Sequence, residues 1–208
     1  MDQQTLEYYS ANASDTAKRY ESVVSSLSGY FGQSFRPESK LLDIGCGSGR
    51  DLSQLSLLGH SCYGIDATPE FVEIAQSLHP ELLGRIVVAA LPSFDPPFGG
   101  GFNGVLCSAV LMHLAAEDLP EAIKSISRCL ATCGRLLYSV PNVRLDVDEN
   151  GRDSNGRLFV PDQEDKIQSL FIDIGFKLIA SWIDQDSLGR DSVAWKSVLM
   201  EKQLATNV

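Results

Sequence analysis

The sequence predicts a single α/β domain of doubly wound type: a mainly parallel seven-stranded sheet with a C-terminal antiparallel hairpin and an N-terminal helical cap. Three observations predict it. Short apolar runs alternate with stretches of helical periodicity from residue 38 to 141. The first of these runs enters a helix through the glycine-rich turn Gly45-Cys46-Gly47-Ser48-Gly49. The last two, Phe176 to Trp182 and Val193 to Lys202, follow one another with no long helix between them. Alternation of strand and helix means βαβ units and a parallel sheet covered on both faces, whereas two consecutive strands close as a hairpin.

Each element has its own local reason. Leu6, Tyr9, Ala13, Ala17, Tyr20, Val24, Leu27 and Phe31 recur at spacings of three or four, which predicts one or two amphipathic helices before a loop at 34–37. Lys40 to Ile44 is the first strand. The helix from Asp51 to Leu58 stops at Gly59, a favourable residue just past a helix end. Cys62 to Asp66 is the second strand, and Thr68-Pro69 reads as an N-cap and first helical residue for the helix from Glu70 to Leu78. Arg85 to Ala90, Gly104 to Ala109 and Arg135 to Val140 are the third to fifth strands, the last ended by Pro141, with a helix from Leu119 to Ala131 before it. A polar, charged stretch at 142–160 precedes a helix from Asp165 to Ile174. No linker divides the chain, so 1–208 reads as one domain with a cap at 1–37, a core at 38–141 and a closing segment at 142–208.

Composition narrows the function. A length of 208 residues with 44% hydrophobic content suits one full core. The net charge of -10 argues against a nucleic-acid partner, which needs clustered Lys and Arg. The five cysteines are odd in number and sit in apolar or helical contexts, as reduced thiols of a cytoplasmic protein do. The first residues carry no signal-peptide pattern, and no apolar run approaches the roughly 20 residues of a membrane span.

The chemistry concentrates between the first two strands. In an open α/β sheet a ligand lies outside the carboxyl ends of the strands. Glycines there permit positive φ and close approach, and the next helix offers free N–H groups. Asp66 follows Gly45 by about 20 residues, the distance of a ribose-binding acid, so the pair points to an adenosine-containing cofactor. A dinucleotide fingerprint would place its third glycine where this chain has Arg50, and an acid, Asp43, precedes the first glycine by two.

The run Leu41-Leu42-Asp43-Ile44-Gly45-Cys46-Gly47-Ser48-Gly49 resembles the first motif of the class I S-adenosylmethionine-dependent methyltransferases, which share a Rossmann-like fold. Tyr63 to Asp66 with Thr68-Pro69, Phe102 to Leu114, and Gly134 to Pro141 resemble that family's later motifs in order. The look is nearest to the small-molecule branch, the methyltransferases of quinone biosynthesis and tellurite resistance. The resemblance implies S-adenosylmethionine as cofactor and a small-molecule methyl acceptor. It implies that Gly45, Cys46, Gly47 and Gly49 line the cofactor, that Asp66 holds the ribose with Ala67 beside the adenine, that Ala90 and Leu91 sit at the adenine edge, and that Ser108 lies beneath the sulfonium. The chain departs from the pattern at Ala89 to Leu91, where many relatives carry an Asp, and at Asn103, where Asp is common.

Several side chains have two readings. His113 is either a general base near the acceptor or a packed residue at a helix start. Tyr9, with Tyr8 and Tyr20, is either an aromatic lid over the sulfonium or the glue of the cap. Cys129 and Cys133 lack the further ligands of a metal site, and none is assigned. Arg144, Arg152, Arg157 and Arg190 either recognise an anionic acceptor or pair with Asp146, Asp148, Asp153 and Asp191. Two competing functions stand beside the transferase: a non-catalytic S-adenosylmethionine-binding protein, marked by a sealed acceptor pocket, and a nicotinamide-dependent oxidoreductase, which Arg50 and Asp43 oppose.

Overall fold

A computed structural model describes residues 1–160 and 163–204; positions 161–162 and 205–208 of the expected closing segment lie outside the described residues. The chain runs α1 (Gln3–Ala11), α2 (Ala13–Glu21), α3 (Phe31–Ser34), β1 (Lys40–Ile44), α4 (Arg50–Leu57), β2 (Ser61–Asp66), α5 (Pro69–Leu78), β3 (Ile86–Val88), β4 (Phe102–Ser108), α6 (Leu119–Cys129), β5 (Leu130–Arg144), α7 (Glu164–Asp173), β6 (Phe176–Gln185) and β7 (Val193–Lys202). The seven strands form one sheet in the order β3-β2-β1-β4-β5-β7-β6. β1 to β5 are parallel, and β7 is antiparallel to both β5 and β6. This is the α/β, Rossmann-like architecture expected from the sequence. Among the described residues no helix is long and apolar enough to cross a membrane.

The period of two along each strand builds the two faces. Leu42, Val105, Leu136 and Tyr138 turn to the side covered by α6 and α7, where they meet Ile123, Ile126 and Phe171. Their neighbours Leu41, Leu106 and Leu137 turn to the other side, against Leu52 and Leu55 of α4, Val72 and Ala75 of α5, and Phe31 of α3. The order in which strands are added turns back at β1: β2 lies on one side and β4 on the other, so the carboxyl ends of β1 and β4 open a crevice at the switch point.

Three local expectations change. The N-terminal stripe is broken: Asn12 separates α1 from α2, and Val24 lies beyond α2 at 76% exposure. Thr68 stands at the N-cap of α5, but its side chain makes no capping bond. Pro141 does not end β5, which continues to Arg144. The pairing of β5 with β4 stops at Ser139, and a register shift against β7 falls between Pro141 and Val143, so the missing N–H interrupts little. The expected closing hairpin is present, with β7 beside β5 and β6 at the edge.

The segment at 145–160 is stapled by two aspartates. Asp148 accepts from the amides of Asn150 and Arg152 at 2.9 and 2.8 Å, and Asp153 accepts from those of Asn155 and Arg157 at 3.0 Å each. These side-chain-to-backbone bonds replace a ladder. α1 lies against this segment. Both oxygens of Asp2 accept from Arg152, at 3.0 and 2.8 Å, while Thr5 Oγ1 accepts from the Leu158 amide at 2.9 Å.

Candidate functional site

A cavity of about 220 Å³ opens at the switch point. At one end it is walled by the turn after β1. Gly45 and Gly47 have φ of 75° and 52°, a region L side chains avoid, and a Cβ on Gly45 would fall 2.4 Å from Val110. The turn is tied to β2: the amides of Gly45 and Cys46 donate to Ile65 O at 2.8 and 3.1 Å, and the Gly47 amide donates to Asp66 Oδ2 at 2.8 Å. Asp66 Oδ1 accepts from the Thr68 amide at 2.9 Å. Burial raises the Asp66 pKa, and these backbone donors partly offset it.

Asp43 and Asp51 line the same end. Arg50 Nε donates to Asp51 at 2.9 Å, and Ser25 donates to the other Asp51 oxygen at 3.0 Å. Asp43 Oδ1 is buried with no hydrogen-bond partner. Burial, then the nearby charges of Asp51 and Asp66, hold its carboxyl well above the usual range. A buried carboxylate oxygen without a donor is expensive, so this end favours a ligand that brings N–H or O–H donors or positive charge. Burial also pushes the Cys46 thiol up, which makes it an inert part of the wall.

The floor comes from β4 and β5. Ser108 and Ser139 both line the cavity. Ala109, next along, holds a φ of 56°, which costs about 1–2 kcal/mol for an L residue. Its amide donates to Ser139 O at 3.2 Å and Ser139 Oγ at 3.1 Å, which fixes that turn.

The opposite end is aromatic and cationic. Tyr9 from α1, Met112 and His113 after β4, Phe159, Trp195 from β7, and the arginines Arg144, Arg157 and Arg190 line it. His113 is buried, and burial lowers its pKa to about 4, so the ring is neutral at pH 7. Its Nδ1 lies 2.5 Å from Leu158 O and therefore donates. That leaves Nε2 to accept from Tyr9 OH at 3.3 Å, while the Tyr9 oxygen accepts from Arg157 Nη1 at 3.2 Å. Both imidazole nitrogens are thus committed. Burial raises the Tyr9 pKa, so its phenol keeps its proton.

Arg157 and Arg144 lie against the aspartates that sequence proximity suggests, Asp153 and Asp146, whereas Arg190 and Arg152 find others. Arg157 Nε and Nη2 donate to Asp153 Oδ2 at 3.0 and 2.6 Å. Arg190 forks onto Asp186, with Nε and Nη2 at 2.9 and 2.7 Å, instead of pairing with Asp191. Burial works against the Asp186 carboxylate, yet the bonds from Arg190 and Trp195 hold its pKa down at about 2. Arg152 turns away to Asp2. Arg144 Nε is 2.8 Å from Asp146 Oδ1 but misaligned, so this buried donor lacks a hydrogen bond.

Of the residues singled out from the sequence, Gly45, Cys46, Gly47, Asp66, Ala67, Ser108, His113 and Tyr9 line one cavity. Three do not. Gly49 caps α4 and faces the far side: a Cβ there would sit 3.2 Å from Ala75 and 3.1 Å from His79. Its glycine serves a positive φ of 84° and helix packing, not the cavity wall. Leu91 turns its side chain into the core, and neither Leu91 nor Ala90 lines this cavity. Tyr20 lines the cavity, whereas Tyr8 stands outside it with the Arg157 guanidinium 4.8 Å above its ring. Asn103 has a role after all: its side chain accepts from the Lys40 amide at 2.9 Å. Among the described residues no His, Cys, Asp and Glu cluster could hold a metal ion. Phe159, Trp195 and Asp186 were missed, because an aromatic on a strand or in a polar stretch reads as packing until its neighbours are known.

The geometry has counterparts. Residues 13–181 match the family model described as a methyltransferase domain. The mitochondrial ubiquinone biosynthesis O-methyltransferase of Schizosaccharomyces pombe is 33% identical over 103 residues, covering 48% of this chain and 37% of that protein. A TehB-like SAM-dependent methyltransferase of Corynebacterium glutamicum superposes with a TM-score of 0.70 at 22% identity, covering 93% of this chain and 99% of the other. The 1,6-didemethyltoxoflavin-N1-methyltransferase of Burkholderia thailandensis, solved with its acceptor and S-adenosylhomocysteine, superposes with a TM-score of 0.73 at 20% identity over 97% and 88% of the two chains. The aligned segments span 40% and 37% of the first two curated relatives' own length.

Proposed function

The chain belongs to the methyltransferase-domain family, and from that premise we propose that it transfers a methyl group from S-adenosylmethionine to a small-molecule acceptor. The observation that carries this reading is the Asp43 oxygen buried without a donor beside the glycine turn, with Asp66 opposite. The amino-acid end of S-adenosylmethionine carries an ammonium group, and its ribose carries two hydroxyl donors. Asp43 would take the first and Asp66 the second, while Gly45 and Gly47 leave room for the backbone to approach. S-adenosylmethionine supplies an electrophilic methyl group on a cationic sulfur.

The chain's own contribution is alignment and exclusion of water. Tyr9, His113 and Arg157 form a fixed chain of hydrogen bonds at the acceptor side. His113 is neutral, and its Nε2 already accepts from Tyr9, so it positions Tyr9 and does not serve as the resting proton acceptor. The cavity continues past the glycine turn to Trp195 and Arg144, room that supports the transferase over a non-catalytic binding protein. The free thiols fit a reducing compartment such as the cytoplasm.

Calorimetric titration with S-adenosylmethionine, S-adenosylhomocysteine and NAD tests the reading. Micromolar binding of both sulfur compounds with none of NAD is expected. Silence from both sulfur compounds would overturn it.

A further inference from the structure

We infer that the far end of the cavity is built for a small planar carboxylate, held by its anionic group against Arg144 and Arg190 with its flat body on Trp195 and Met112. This rests on the reading of the glycine-turn end as the S-adenosylmethionine site.

The first ground is the state of the two guanidinium groups. The Arg144 side chain is only 6% exposed, yet among the described residues its Nη1 has no partner and its Nε is misaligned on Asp146. Nη2 reaches Asp146 at 3.4 Å and Asp153 at 3.7 Å, the latter too long for a hydrogen bond. Arg190 uses Nε and Nη2 on Asp186 and has Nη1 to spare. Arg157, in contrast, spends all three nitrogens on Asp153 and Tyr9. Of these nitrogens, Arg144 Nε is a buried donor without a hydrogen bond, which is costly on a charged group, so a neutral apolar acceptor would leave that deficit in place.

The second ground is the counter-charge. Asp153 is saturated by two amides and by Arg157, and Asp186 by Arg190 and Trp195 Nε1. Asp146 is partly hydrated, with its side chain 36% exposed. Burial lowers the pKa of Arg144; Asp146, the strongest neighbouring charge, works against that, while Arg190 and Arg157 add to it. A carboxylate matches a guanidinium fork in plane and charge.

The third ground is shape. Arg144 is stacked 3.5 Å above the Phe159 ring, which fixes the plane of its fork. Met112, Phe159, Val193 and Trp195 form a separate apolar cluster beside it. Trp195 is pinned by its Nε1 bond to Asp186 at 3.0 Å. A rigid apolar wall next to a fixed cation suits a flat ring bearing an acidic group.

The test uses the full chain saturated with S-adenosylhomocysteine and follows the binding of 4-hydroxybenzoate, 4-hydroxybenzamide and inorganic phosphate by calorimetry. The carboxylate should bind at least tenfold more tightly than its amide and than phosphate. Arg144→Gln should remove that preference while leaving S-adenosylhomocysteine affinity intact, which also reports that the variant folds. Arg190→Gln, in the loop before β7, should reduce it by a smaller factor. Equal affinity for acid and amide, silence from both, tighter binding of phosphate, or a preference that survives in Arg144→Gln would each overturn the inference. Loss of S-adenosylhomocysteine binding by the unmodified protein would strike the cofactor reading instead, so the two failures are distinguishable.

Discussion

The two ends of the cavity are built by different means. The glycine-turn end comes mainly from one stretch, Asp43 to Thr68, with Tyr20 and Ser25 reaching in from the cap, and its bonds join residues about 30 apart or fewer: Gly47 to Asp66, Thr68 to Asp66, Arg50 to Asp51, Ser25 to Asp51, Arg50 to Tyr20. Its working groups are backbone amides and carboxylates. The arginine end draws on α1, the turn after β4, the end of β5, the stapled segment and the β6–β7 connection. Its bonds span up to 153 residues, as from Leu158 to Thr5. Its working groups are side chains, mostly guanidinium and aromatic. The first end is acidic and short of donors; the second is cationic and has donors to spare. A site of this kind holds a constant ligand with local backbone geometry and a variable one with distant side chains, which substitution can change without disturbing the turn.

The sharpest way to break this comparison is Gly47→Val. At a φ of 52° a branched residue is strained, and its side chain would point into the cavity. Affinity for S-adenosylhomocysteine should fall by roughly 100-fold or more, measured by calorimetry, because both strain and space oppose binding. A value within tenfold of the parent would remove the turn from the site.

Acid should separate the ends next. His113 has a folded pKa of about 4 against an ordinary 6.5, so between those values the unfolded chain binds more protons and stability falls as pH falls. Denaturation at pH 5 should show about 2 kcal/mol less stability than at pH 7 from this group. His113→Gln should flatten the slope, leaving a smaller part from His60, which burial also lowers. An unchanged slope would mean that His113 is solvated.

Asp66→Ala should weaken S-adenosylhomocysteine binding by roughly tenfold or more, since it removes charge-assisted bonds to the ligand and frees the Gly47 amide. Asp43→Asn should act in two directions. The folded state holds the Asp43 proton above its ordinary range, so at pH 7 the ionised group is a burden that lightens as pH falls, the reverse of His113. The variant should be about 1 kcal/mol more stable without ligand and bind S-adenosylhomocysteine more weakly. The smallest effect belongs to Arg152→Gln. Its partly exposed pair with Asp2 should contribute under about 1 kcal/mol, seen as faster amide exchange in α1 with cofactor affinity unchanged.

Much of the fold was legible because strand and helix periods are short-range signals. Six of the seven strands and the long helices were placed within about three residues, while β5 runs five residues further at its start and four at its end, and the final hairpin was read from the absence of a helix between 182 and 193. What misled was local punctuation judged without neighbours. Pro141 stops a strand only where a ladder needs its N–H, and β5 had already left β4 at Ser139. Gly49 belongs to the motif by spacing but to α5 by contact. The arginines were recognised as a group, yet Arg190 was paired by proximity with Asp191 when Asp186 lies in reach of its fork.

By itself the sequence determined the strand order of chemistry: a glycine turn after β1, an acid at the end of β2, and hence a crevice at the switch point with an adenosine-type ligand in it. Those features rest on φ preferences and hydrogen bonds within a few tens of residues, which local sterics dictate. Only the tertiary structure decided that His113 is neutral with both nitrogens engaged, that Asp43 is left without a donor, and that Arg144 stands over Phe159 with a nitrogen to spare. These depend on burial and on partners brought together across the whole chain. A charge or a lone pair has no fixed meaning until packing sets what surrounds it.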